Sequence, residues 1–413
     1  MNDQTLMQAH LAAARPQVIA ALTRSFRDID LAEDGFQEAS LRALKRWHAD
    51  GIPRHPTGWL VRVGRNVIID RLRKLDRESA LGDVQLQMLA VDTEAALMEA
   101  IDRAELRDDV LRLLFMCCHP DLTAQDQLAL ALKVVVGLPT PRIARAFVVK
   151  PRTMEQRLTR ARRRAAEVAE SIDTPTREQR LHRLEAVSTM VYLLFSQGYS
   201  GSDGDAHIRS ELCNEAIRLA RLLLDLFPSQ PELIGLLALC LLQHARRDAR
   251  MTTDGLLIPL DKQDRSKWHA EPIREGRNLV QKALRKGHPG PMQLQAAIAA
   301  LHCEASTAEQ TDWAQIEQLY RLLYEMTPSP IVALNHAVAV HKVDGADAAL
   351  MQLDELDNDL QDYLYYHSTR AGLLVELGQI TEARKAYQRA LDLQPSHAEA
   401  HYLKKRLSSI ERK

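Results

Sequence analysis

A chain of 413 residues is longer than one hydrophobic core usually holds, so two or three domains are expected. Hydrophobic residues make up 46% and charged residues 26%, while aromatics are few at 5%; this is a globular composition with little to support strands, and it favours an all-α fold. The formal net charge is −1, but Lys and Arg outnumber Asp and Glu by 7 to 2 over residues 54–77 and by 9 to 1 over 142–164, whereas 78–141 carries 4 against 11. Two basic blocks around an acidic stretch predict two separate polyanion contacts and argue against a uniformly adhesive surface. Five cysteines without a CxxC pair, a polar N-terminus and no apolar run of 18 residues predict a reduced, cytoplasmic chain with no membrane span.

In chain order, residues 1–78 form a first helical domain. Within it, DLAEDGFQEASLRALKRW is an amphipathic helix with Phe36, Ser40, Ala43, Leu44 and Trp47 facing inward. Asp34, Gln37, Glu38 and Arg42 then face outward, either as a solvated surface or as a face for a basic partner. The following IPRHPTGWLVRVGRNVIIDRLRKLDRE starts a helix near Thr57 and Gly58. Leu60, Val63, Val67 and Leu75 supply its buried side, and Arg62, Arg65, Asn66, Arg73 and Arg77 lie on another arc. Beside Trp59 these groups suit a strand backbone and unstacked bases, although a solvated helix has the same pattern. Residues 79–105 read as an acidic linker.

Residues 106–170 are helical again and end in PTPRIARAFVVKPRTMEQRLTRARRRA over 139–165. Thr140 is a candidate N-cap with Pro141 at the first helical position, a tight VVK turn follows, and Pro151 opens a second helix. On that helix Met154, Leu158, Ala161 and Ala165 make one apolar stripe, opposite Arg152, Thr153, Gln156, Thr159, Arg160 and Arg163. A short helix, a tight turn and a polar-faced second helix form a major-groove reader, in which arginine pairs with guanine, glutamine with adenine, and further arginines with phosphates. A basic outer helix of a bundle is the plainer alternative. After a breaker at SIDTPTRE, residues 178–413 run helix after helix. In AGLLVELGQITEARKAYQRALDLQP, residues Ala371, Gly378, Ala383, Tyr387, Ala390 and Pro395 fall where a tetratricopeptide (TPR) repeat needs small, aromatic and helix-stopping residues. CNEAIRLARLLLDLFP and WAQIEQLYRLLYEMTP echo its second helix alone, so an irregular α-solenoid is expected.

The order AED-x-x-QE, WL, RN-x-x-x-D-x-x-R across AEDGFQEASLRALKRW and PTGWLVRVGRNVIIDRLRK resembles regions 2.2 to 2.4 of extracytoplasmic-function (ECF) RNA polymerase sigma factors. Residues 139–165 resemble their region 4.2, and segments such as GLLALCLLQHARRDAR, IPLDKQDRSKW and SPIVALNHAVAV resemble the subgroup with a long TPR-like C-terminal extension. The resemblance implies an all-α protein of a region 2 helical domain, a region 4 helix-turn-helix domain and a TPR-like α-solenoid that controls activity. It implies binding to core RNA polymerase through Asp34, Gln37, Glu38 and Leu41. It places Arg62, Arg65, Asn66, Asp70, Arg71 and Arg73 at the −10 element of promoter DNA. It places Arg152, Thr153, Gln156, Arg157, Arg160 and Arg163 at the −35 element. A peptide or small-molecule signal at the C-terminal domain is a further implied partner. Arg142 and Lys150 depart from the usual region 4.2 pattern and add positive charge. A helix-turn-helix regulator acting without replacing the polymerase sigma subunit is the alternative reading.

Candidate chemistry is sparse. Cys117, Cys118 and His119 stand on successive helix positions about 100° apart with no second ligand pair, which favours packed thiols at a helix end over a metal or redox centre. Asp261, Gln263, Asp264, Arg265 and Trp268 are expected to form a salt-bridged corner between repeats, with a ligand pocket or catalytic module as the rival. No Walker loop, GxGxxG or GxSxG occurs, so neither enzymatic activity nor a cofactor is expected.

Overall fold

The computed structural model describes residues 3–79, 103–119, 121–147, 149–169, 177–200, 206–252 and 256–411. Its described elements are helices, joined by one isolated antiparallel bridge between Met251 and Leu257. The all-α expectation therefore holds. Most of the expected linker at 79–105 and of the breaker at 171–178 lies outside the described residues, as do the side chains of Leu75 and Arg77. The chain divides into two compact units, Met1–Leu194 and Phe195–Lys413.

The first unit contains α1 (Asp3–Phe26), α2 (Ile29–Asp50), α3 (Pro56–Ser79), α4 (Arg103–Cys117), α5 (Ala124–Ala131), a π-helical turn (Leu132–Val136), α6 (Thr140–Ala146) and α7 (Pro151–Ala169). α1 is central because Val18, Ile19 and Leu22 are fully buried, and it packs against α2, α3, α4 and the π turn. Asp28 starts α2 by accepting from the Asp30 and Leu31 amides, the usual role of a short acid at an N-cap. The α2–α3 crossing is close because both helices carry glycine there. A Cβ on Gly64 would lie 3.1 Å from the Gly35 carbonyl oxygen, and one on Gly35 would lie 2.7 Å from Ile68 Cδ1. Phe36, Ala43 and Trp47 are buried on the inner face of α2, as expected, and Ala39 joins them, but Ser40 is half-buried and Leu44 is 36% exposed. Leu44 follows Ala43 by about 100° of helix rotation, which carries it off that face.

α8 (Arg177–Ser200) contains the boundary between the units, whereas the sequence suggests a division near 178. Leu184, Val187, Met190 and Val191 are buried, and the Arg183 guanidinium stacks 5.0 Å from the centre of the Phe115 ring in α4. The start of this helix is thus part of the first unit's core.

The second unit runs through α9 (Ala206–Leu226), α10 (Pro231–His244), α11 (Ala270–Leu284), α12 (Pro291–Glu304), α13 (Trp313–Met326), α14 (Pro330–Asp344), α15 (Ala346–Asp354), α16 (Asp357–Leu360), α17 (Leu364–Glu376), α18 (Ile380–Asp392) and α19 (His397–Glu411). α10 is apolar almost all round and packs against α11 and α12. Glu232 on its first turn accepts from the Met292 amide at 3.0 Å and from Gln293 Nε2 at 2.9 Å, which fixes the start of α12. The predicted repeat is the α17–α18 hairpin: Ala371, Ala383, Tyr387 and Ala390 are buried in one cluster with Leu374 and Leu403. Gly378 takes φ +73° at its turn, which suits a residue without Cβ.

Candidate nucleic-acid interface

The helix-turn-helix is built as its sequence demands. The Pro139 carbonyl accepts from the Ile143 amide, so α6 begins at Thr140, one residue before the position expected from a Thr140 cap. The Val149 amide returns to the Ala144 carbonyl at 3.0 Å to close the turn, and the Met154 amide bonds to Lys150 as α7 starts. Met154, Leu158, Ala161 and Ala165 are all buried. Arg152, Thr153, Gln156, Thr159, Arg160 and Arg163 are exposed, as are Arg142 and Lys150. The resulting face is polar and strongly cationic, the chemistry needed to read base edges and phosphates.

Two arginines of α7 behave differently. Arg157 is turned toward α5, where it donates to Gln125 Oε1 at 3.1 Å and pairs with Asp126 at 3.5 Å. Arg162 leaves the exposed face altogether: its guanidinium pairs with Asp30 and, at 2.5 Å, with Glu33 of α2. Glu33 is only 6% exposed and also receives Arg15 from α1 at 2.7 Å. Arg15 lies over the Phe36 ring, 5.1 Å from its centre, and donates to the Lys133 carbonyl of the π turn. Gly137, held at φ +84°, leaves the space this guanidinium occupies, since a Cβ there would sit 2.5 Å from Arg15 Nε. One buried carboxylate thus joins α1, α2 and α7. Sequence reasoning missed Arg15, Glu33 and Arg162. The available signal was the place of Arg162 four residues after Leu158 and three before Ala165, at the rim of the apolar stripe.

The second basic block is also divided. On α3, Arg62, Asn66, Asp70, Arg71 and Arg73 are exposed and Arg65 is half-buried. Arg71 pairs with Asp34 across the groove between α2 and α3. That groove, a cavity of about 540 Å³, is lined by Asp34, Gln37, Glu38 and Leu41 on one side and by Asp70, Arg71 and Lys74 on the other. Leu41 is 56% exposed beside it. The groups assigned to polymerase and some assigned to the −10 element therefore share one groove, which sequence alone does not reveal. Trp59 packs edge-on against Trp47 with centroids 5.5 Å apart, so it braces α2 against α3.

Elsewhere, the singled-out residues form structural contacts. Cys117 and Cys118 are buried, and burial pushes the Cys118 thiol up to about 12. The His119 carbonyl accepts from Gln127 Nε2 at 3.0 Å, so this segment closes a helix end. In the second unit Trp268 is held between Arg265, 4.7 Å from the ring centre, and Arg246, 5.7 Å away. Arg265 also donates to the His302 carbonyl at 2.6 Å, tying the corner to the end of α12. Asp264 caps its own short turn through the Ser266 amide, and Gln263 Nε2 bonds to the Ile258 carbonyl. Asp261 lies on the short turn Leu260–Lys262, which precedes the turn Arg265–Lys267 of the tryptophan corner.

Comparison with known proteins finds four family matches along the chain. Residues 11–78 match sigma-70 region 2, residues 112–164 match sigma-70 region 4, and residues 373–404 match a TPR repeat. Residues 183–284 match a family of unknown function. Over 410 residues the chain is 48% identical to an uncharacterized protein of Rhizobium meliloti (strain 1021), covering 99% of this chain and 97% of that one. No helix among the described residues is long and apolar enough to cross a membrane.

Proposed function

Since this chain belongs to the ECF-like sigma factors with a C-terminal TPR extension, we propose that it docks on core RNA polymerase and directs promoter-specific initiation under the control of its helical-repeat unit. The observation that carries this reading is the division of α7 into a fully buried apolar stripe and an exposed face of Arg152, Thr153, Gln156, Arg160 and Arg163. In this reading that face contacts the −35 element, Arg157 being held by Asp126 as its support. The α3 residues Arg62, Arg65, Asn66, Asp70, Arg71 and Arg73 contact the −10 element. Asp34, Gln37, Glu38 and Leu41 meet the polymerase. Phosphate contacts supply most of the affinity, so promoter binding weakens steeply with salt.

The reading also assigns a role to the Glu33 clasp. The two elements lie about 25 base pairs apart by name, roughly 85 Å along B-DNA at about 3.4 Å per pair. A compact unit of the size of Met1–Leu194 has a radius of gyration of about 16 Å. Both elements cannot be reached while α7 is tied to α2, so the clasp opens when the promoter complex forms. The deciding experiment is transcription in vitro with purified core enzyme and a promoter mapped after controlled expression. Initiation that depends on the added chain supports the reading. DNA binding without initiation would assign the protein instead to helix-turn-helix regulators that leave the polymerase sigma subunit in place.

A further inference from the structure

The connection from α10 to α11 runs over residues 245–269, whereas helix–helix connections in arrays usually take about 2–8 residues. Loops beyond about 12–15 residues are uncommon unless they carry a function. Part of this one is accounted for by the tryptophan corner. The segment before the corner does something else: the Thr252 amide bonds to the Leu256 carbonyl and the Ile258 amide to the Arg250 carbonyl, each at 2.8 Å, so residues 250–252 pair with 256–258. Thr252 and residues 256–262, together with α19, line a cavity of about 280 Å³.

The walls of this cavity have two chemistries. Leu256, Leu257, Pro259, Ala398 and Tyr402 make an apolar interior. Lys262, Lys405, His401 and Arg406 also line it. Arg406 is already engaged, donating to the Tyr387 hydroxyl at 3.2 Å and feeling the charge of Asp261. Lys262 and Lys405 are exposed and have no carboxylate partner among the described residues. Small-ligand sites pair apolar walls with a few convergent polar groups, typically in about 300–1,000 Å³, and this cavity of about 280 Å³ falls just below that range. A neutral apolar molecule would cover the apolar walls and leave the two lysine charges unanswered. A small anion alone would neutralise the lysines and leave the interior wet.

From this pairing we propose that the cavity between residues 256–262 and α19 binds a small amphipathic carboxylate, its chain against Leu256, Leu257 and Tyr402 and its carboxylate held by Lys262 and Lys405. Such a ligand would join a loop rooted beside α10 to the end of the array. Its use as a regulatory signal rests on the sigma-factor reading; the binding itself does not.

Calorimetric titration of the full chain with octanoate, without polymerase or DNA, tests the site. Octanoate is expected to bind at one saturable site, with octanol and acetate each at least tenfold weaker. The Lys262→Glu/Lys405→Glu variant is expected to lose at least tenfold in octanoate affinity with an unchanged thermal midpoint in its absence. If charge reversal lowers the midpoint, Lys262→Gln/Lys405→Gln carries the comparison. Absence of saturable octanoate binding, octanol or acetate binding as tightly as octanoate, or unchanged affinity in the variant that melts normally, would each overturn the proposal. Because no promoter component is present, a negative result here leaves the transcription assay to be judged separately.

Discussion

Arg162 of α7, the helix assigned to promoter DNA, places its guanidinium 2.5 Å from Glu33, a nearly buried carboxylate on the helix assigned to polymerase docking. Arg15 occupies the other oxygen of the same group at 2.7 Å. Substituting Arg162→Ala leaves Glu33 one partner, so the loss in stability should be about 1–3 kcal/mol, less than for a buried charge left alone. The same change should make the first unit open more readily. Small-angle scattering of Arg162→Ala is expected to show a larger radius of gyration than wild type at equal salt. Equal scattering curves would argue that α4 and α5 packing alone holds α7 in place.

The exposed and engaged arginines of α7 should respond differently to truncation. Arg160→Ala and Arg152→Ala are expected to weaken promoter binding by about 1–3 kcal/mol where they meet base edges, or to lower the salt slope by about one where they meet phosphate. Arg157→Ala should cost stability through lost contact with Gln125 and Asp126 and leave the salt slope unchanged. Titrations at several potassium chloride concentrations, paired with urea melts, separate the two classes.

Acid should weaken the second unit in a defined window. Burial, with Arg247 beside His244 and Arg246 beside His302, lowers both rings from 6.5 to about 4. Between these values the unfolded chain binds protons that the folded one refuses. The contribution is complete above about pH 6.5 and is lost as pH falls toward 4, by at most about 1.4 kcal/mol per unit for each ring. Urea midpoints at pH 7.5, 6 and 5 should fall in that order. The fall should be shallower in His244→Gln/His302→Gln.

The approach of α10 to α12 leaves no room at Gly235, where a Cβ would lie 2.7 Å from the Gln293 backbone nitrogen. Gly235→Ala should destabilise the second unit by about 1–3 kcal/mol, despite alanine's better helix propensity. A thermal midpoint at or above wild type would show that the two helices separate at little cost.

Much of this architecture was legible in residue spacing. The stripe Met154, Leu158, Ala161 and Ala165 follows the helical period, and so does the small-residue pattern of the α17–α18 hairpin, because both encode burial within a single element or hairpin. Leu44 was misplaced because a helix wheel cannot say how wide the buried face is once Gly35 and Gly64 bring α3 close. Arg162 and Arg157 were read with the basic block because a tally of charge does not say which arginine meets a carboxylate 129 or 31 residues away. Division of the chain near 178 follows a break in composition, while packing follows the apolar residues of α8 beyond it.

The Trp47–Trp59 contact carries an optical consequence. The chain has four tryptophans: this pair in the first unit, and Trp268 and Trp313 in the second. Two indoles 5.5 Å apart and inclined at 61° are close enough for their transitions to couple, giving a near-ultraviolet dichroism signal that depends on the seating of α3 on α2. Trp268, flanked by two guanidiniums, instead reports the corner through its emission. Each half of the molecule therefore contains its own intrinsic probe, and rearrangement of the α2–α3 groove can be followed in the intact protein without an added label.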